Sequence, residues 1–246
     1  MIVWAMARKE LELYFTSFLF YVVAAIFLAL AGYNFYQNLH LYVMLGGMDL
    51  PRGLWQYEFL DMRQLLLSLV PLLTMRLFAE ERKLGTLELL WTYPVRDWEL
   101  ILGKFIGCMT VLALMLAATV VYPAMIAPLQ TVTVGPLLAA YLGIFLLAGA
   151  CVAVGLFCSA LTDSQLVAGA SSYGLLFLFW ILTWNEAAMN EGLLRYLRPF
   201  SLFDRFEMFA RGVIDTRDIT FFTLFIAAFL SVTFFALDAR RWRGLR

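Results

Sequence analysis

The sequence predicts an all-α integral membrane protein of six transmembrane helices, and three observations carry that expectation. Of 246 residues, 63% are hydrophobic and only 15% charged, with a mean hydropathy of +0.82; a soluble domain of this length carries about 25% charged residues. Charge is missing over stretches as long as the ~20 residues a helix needs to cross the hydrocarbon core, as in 105–128. The charge that remains gathers between such stretches, above all in Glu80–Lys104, which reads EERKLGTLELLWTYPVRDWELILGK. A segment of that kind between two spans has to lie in water at one membrane face.

Residues 1–17 read as an amphipathic helix along the membrane surface, with Ile2, Val3, Trp4, Met6, Leu11, Tyr14 and Phe15 interrupted by Arg8, Lys9 and Glu12. No small-residue cleavage site follows the first apolar run, so a retained first span is expected over 18–35. Residues 36–59 read as a loop of moderate polarity, broken by Gly46-Gly47 and Pro51. Span two is expected over 60–79, with Arg63 near its outer end able to snorkel and Pro71 predicting a kink or joint.

The segment 80–100 is expected to form a helix, because Leu84, Leu87, Glu88, Leu90 and Trp91 recur three and four apart and Pro94 closes the run. Glu80 and Glu81 are placed near its start, where the helix dipole favours carboxylates by about 0.3–1 kcal/mol each. Glu81 and Arg82 are then free to face a partner. Span three follows over 101–127 with a break allowed at Pro123. Span four, 137–157, opens just after Pro136 and carries Gly143, Gly149 and Gly155, which let neighbouring helices approach. A polar turn containing Asp163 leads to span five, 166–183, with small residues Gly169, Ser171, Ser172 and Gly174. Residues 184–218 read as two short outer helices that dip into or lie on the membrane, and span six covers 219–237 ahead of an arginine-rich tail. The whole of 1–246 is one transmembrane domain. Six spans put both termini on one side, which carries 11 basic residues against seven on the other, so that side is expected to be cytoplasmic.

Several classes are disfavoured. His40 is the single histidine, which leaves a serine nucleophile without a base and zinc without a ligand set. Gly103-Lys104 lacks the glycine pattern and hydroxyl residue of a phosphate-binding loop. No basic patch is large enough for nucleic acid, and the uncharged middle spans offer no ion-selective filter. Cys108, Cys151 and Cys158 are expected to be free buried thiols.

With the elements placed, some letters are familiar. Arg76, Glu80-Glu81-Arg82, Gly85-Thr86, Glu88-Leu89-Leu90, Pro94 and Gly103-Lys104 resemble the hallmark of the ABC-2 type transporter permeases. Ala7-Arg8-Lys9-Glu10-Leu11 resembles that family's elbow helix, Val70-Pro71 to Glu81 its second span, and Phe203–Asp218 its outer helices. Within the family the chain is most similar to the gliding-motility permease GldF and its relatives.

The resemblance implies a half-transporter of a bacterial inner membrane, multi-pass with both termini cytoplasmic, that pairs with a second permease copy. It implies two copies of a separate cytosolic ATPase, which hold ATP and Mg, and no catalysis or cofactor in this chain. An auxiliary membrane protein with a periplasmic domain is a further expected partner, besides lipids. The coupling helix is 80–100, and the implied ATPase contact comprises Glu81, Arg82, Gly85, Thr86, Glu88 and Leu89, with Arg8, Lys9, Glu10 and Asp163 nearby. The candidate translocation path includes Leu66, Met75, Gly169, Ser172 and Tyr173. Export is the expected direction. The alternative is a non-transporting anchor or mechanotransmitting scaffold subunit of an envelope or motility complex.

Overall fold

The computed structural model describes residues 2–44, 51–86, 96–127, 133–184 and 201–244, without the side chains of 51–53, 182–184 and 240–244. The expected residues Glu88, Leu89 and Pro94 lie outside the described residues. All regular structure among the described residues is helical: α1 Ile2–Thr16, α2 Phe18–Met44, α3 Pro51–Thr74, α4 Arg76–Lys83, α5 Asp97–Ala118, α6 Val121–Ile126, α7 Val134–Leu161, α8 Gln165–Trp184, α9 Leu202–Ala210 and α10 Thr216–Gly244. Among the described residues, five helical stretches are long and apolar enough to cross a membrane: Phe18–Met44, Leu54–Lys83, Asp97–Ile126, Val134–Leu161 and Thr216–Ala239. α8 carries a shorter apolar stretch, Gln165–Ile181.

α7 is the axis of the bundle. It packs against α3, α4, α5, α8, α9 and α10, and most of its side chains are buried. Its glycines admit those neighbours: a Cβ on Gly143 would overlap Phe209 of α9, one on Gly155 would overlap Thr74 of α3, and one on Gly149 would press on Ile226 of α10. The spacing read from the sequence therefore serves three different helices. α2 and α10 lie at the periphery with long exposed faces.

Two expectations are corrected and one is met. Most of the expected loop 36–59 is helical, because α2 continues to Met44 and α3 opens at Pro51. Gln37, Asn38 and His40 are polar without being helix breakers, and proline suits a first helical turn. Span two has the joint that Pro71 predicts: α3 ends at Thr74, three residues past the proline, and α4 begins at Arg76. Finally, Glu80 and Glu81 close a helix and do not open one. α4 ends at Lys83, and Gly85 follows at φ 69°, a left-handed conformation that glycine adopts freely. The dipole argument for the two glutamates is thereby reversed, and Arg82 and Lys83 are the residues it favours.

The outer helix α9 is capped by Ser201, whose Oγ accepts from Asp204 N at 3.3 Å. Phe203, Phe206 and Phe209 recur three apart on one face and are all fully buried, so α9 is wedged into the bundle instead of lying on it.

Candidate functional site

The end of the bundle carrying α1, the α4 terminus and the start of α5 holds a network of buried charge. α1 reaches α5 because Gly103 and Gly107 have no side chains: a Cβ there would lie 2.5 Å from Met6 Cβ and 2.7 Å from Glu10 Cβ. Their spacing of four puts both on one helix face, with Lys104 beside them. Lys104 is 1% exposed. Its Nζ donates to Glu10 Oε1 at 2.6 Å and lies 2.9 Å from Glu81 Oε2, and it sits 5.2 Å from the centre of the Phe78 ring. Lys9 donates to the other Glu81 oxygen, Oε1, at 3.0 Å.

Two lysines thus balance two glutamates, and one lysine joins three helices: α1 through Glu10, α4 through Glu81 and α5 through its own backbone. Glu81 is consequently not free to face a partner, since both of its oxygens are taken. Arg82 is also engaged, with Nη1 3.2 Å from Asp163 Oδ1, which ties α4 to the turn between α7 and α8.

Tyr14 extends the lock toward the α3–α4 joint. Its hydroxyl donates to Leu73 O at 3.0 Å, and burial, with Cys108 adding to it, raises its pKa well above the ordinary 10.0. The Arg76 guanidinium lies 4.9 Å from the Tyr14 ring centre and donates to Ser17 Oγ. On the opposite side of the joint, Ser159 Oγ accepts from Phe78 N at 3.0 Å and Ala79 N at 3.1 Å and donates to Met75 O at 3.0 Å. One serine of α7 therefore satisfies backbone groups that the interrupted helix leaves open. Between α1 and α4 lies a cavity of about 480 Å³ lined by Lys9, Glu10, Tyr14, Arg76, Glu81 and Thr86, among others.

The expected contact residues divide accordingly. Lys9, Glu10 and Glu81 meet in the lock, and Arg82 meets Asp163. Arg8 is exposed and pairs with Glu12 one turn along its own helix at 3.1 Å. Gly85 and Thr86 follow the end of α4 and are exposed, and Thr86 Oγ1 donates to Glu81 O at 3.0 Å. Of the expected path residues, Leu66 and Ser172 are buried inside the chain. Gly169 is packed on Met75, and Tyr173 is exposed and stacked on Phe177. Sequence reasoning missed Lys104, Tyr14 and Ser159 as members of the site. For Lys104 the residues themselves held a signal, a lysine at the head of a run, 105–162, that carries no charge, because a cation in that position needs a counter-charge.

A helical domain with several helices long and apolar enough to cross a membrane, and with α1, α4 and α5 tied by buried charge at one end, is that of a multi-pass membrane protein. The family model for the ABC-2 family transporter protein matches residues 4–239, and the chain belongs to that family. The family is a membrane transport component, so this is a permease subunit of an ABC transporter, and membership implies partnership with an ATPase subunit. No curated protein matches the chain.

Proposed function

We propose that this chain is the six-span half of a dimeric exporter, driven by a separate cytosolic ATPase that binds Mg-ATP. The observation that carries the reading is the buried Lys104 bridging Glu10 and Glu81. An ion pair so placed is costly to break, so α1, α4 and α5 respond as one body when the segment after Lys83 is pushed. In this reading residues 1–17 are the elbow helix, and 80–100 with Glu88 and Leu89 dock on the ATPase. Both termini are cytoplasmic in a bacterial inner membrane. α8 supplies the sixth span: its 20 residues extend about 30 Å. The five candidate spans and the exposed, partly polar face of α2 support a path between two copies of the chain.

The test is ATPase activity of the complex captured on this protein from its native membrane, beside the variants Lys104→Met and Glu81→Gln. Retention of the ATPase with turnover reduced about tenfold or more in Lys104→Met is the expected result. If an ATPase is retained and turns over at the unaltered rate in both variants, the lock does not transmit and the coupling reading falls. If no ATPase is retained by the unaltered protein, the scaffold reading takes its place.

A further inference from the structure

At the far end of α3 from Glu81 lies a second polar cluster that, among the described residues, has no cation paired with it. Glu58 is 1% exposed, and Asp61 lies one turn on, on the same helix face. A single amide serves both carboxylates: Asn38 Nδ2 of α2 lies 3.3 Å from Glu58 Oε2 and 2.9 Å from Asp61 Oδ2. Glu58 Oε1 is buried and, among the described residues, has no hydrogen-bond partner. Among the described residues no ion pair reaches Glu58 or Asp61.

The surrounding elements bring hydroxyls in place of charge. Tyr122 of α6 and Tyr141 of α7 are within electrostatic reach of Glu58. Tyr141 OH is 3.1 Å from Thr119 Oγ1, which sits in the break between α5 and α6. Arg63 of α3 feels Asp61, yet it also feels Asp204 and Glu207 of α9, and its Nη1 donates to Phe203 O at 3.4 Å. Two carboxylates sharing one neutral donor repel each other, and a buried carboxylate oxygen with no donor is strongly disfavoured.

We propose that Glu58 and Asp61 form a binding site for one monovalent cation, held by Glu58 Oε1 and taken up as a proton or as an alkali-metal ion. A single positive charge supplies what the cluster lacks. Turning the Asn38 amide over would bring its Oδ1 beside the carboxylates as a further oxygen ligand, an exchange that costs no change of shape. Interrupted membrane helices beside a carboxylate are a general setting for such ions, because their freed backbone carbonyls turn toward the site. The site is distinct from the Lys104 lock, and the inference does not depend on coupling to an ATPase.

The experiment is thermal unfolding of the full chain in lipid nanodiscs at pH 5, 7 and 9. Sodium, potassium or choline chloride is used at equal ionic strength, with the unaltered protein, Glu58→Gln and Asp61→Asn. A ligand that binds only the folded state raises its Tm. A bound alkali ion gives a Tm about 3–5 °C higher in sodium or potassium than in choline, a difference lost in Glu58→Gln. A bound proton gives a Tm that falls as pH rises in all three salts, because the folded state then loses the proton that stabilised it, and a level profile in Glu58→Gln. Should Glu58→Gln fail to fold, Asp61→Asn, at the half-buried mouth, carries the same comparison with a reduced response expected. The proposal is overturned if the unaltered protein is indifferent to cation and its pH profile coincides with that of Glu58→Gln, or with that of Asp61→Asn where only that variant folds.

Discussion

Lys104 shows how one side chain changes the meaning of those around it. Removing the ammonium would strand two buried carboxylates, and breaking a buried pair on one side costs about 3–5 kcal/mol. Lys9 covers only one oxygen of Glu81 and does not reach Glu10 among the described ion pairs, so it is no substitute. Tyr14 offers a residue-scale test with a defined sign. Its folded pKa is raised above the unfolded value of 10.0 by burial. The corresponding stability is fully present below pH ~10 and is lost as pH climbs through the folded pKa. Unfolding midpoints from pH 8 to 11 are expected to fall more steeply at the alkaline end in the unaltered protein than in Tyr14→Phe. In neutral buffer that variant is expected to lose about 1–2 kcal/mol for the hydrogen bond to Leu73 O. Parallel alkaline profiles would show that Tyr14 contributes nothing to the pH response.

At the scale of elements, the contact between α7 and α9 is the one most exposed to test. Gly143 leaves no room for a methyl group against Phe209, and overpacking of this kind costs about 1–3 kcal/mol. Gly143→Ala is expected to lower the unfolding midpoint, and Phe209→Ala to lower it further by opening a cavity. The double variant is expected to be more stable than the sum of the two losses predicts, since the smaller side chain makes room for the methyl group. Strict additivity would mean that the two helices do not meet there.

The helices were legible where the signal is local. The apolar runs, Pro71, Pro123 and the small residues of α7 all announced features that the structure contains. The direction of the charged segment was not legible, because Gly85 has to be seen at φ 69° before the glutamates can be assigned to the last turn of a helix.

For the whole molecule, the distribution of exposed side chains bears on how two copies would meet. α2 exposes Tyr21, Tyr33 and Tyr36, whereas α10 exposes Leu224, Val232 and Phe235. Hydroxyl-bearing rings suit a partner or a watered path better than lipid tails do. In membranes treated with an oxidant, Tyr33→Cys is therefore expected to cross-link between copies and Leu224→Cys to remain uncrosslinked. The three native cysteines are buried and contribute little background. The reverse pattern would place α10 at the dimer interface and α2 against lipid.

The sequence by itself determined that this is a helical membrane protein, where its main apolar runs lie, and that its charge is concentrated around the α4–α5 segment. Hydrophobicity and helical period are properties of neighbouring residues, and a bilayer leaves few alternatives to a helix. Only the tertiary structure decided which charges are partnered. Lys104 meets Glu10 from 94 positions away, Ser159 closes a joint 80 and more positions earlier, and Glu58 is left with an oxygen that none of the described residues satisfies. Pairing at that range depends on how the bundle closes around α7, and the repeat of a single helix carries no record of it.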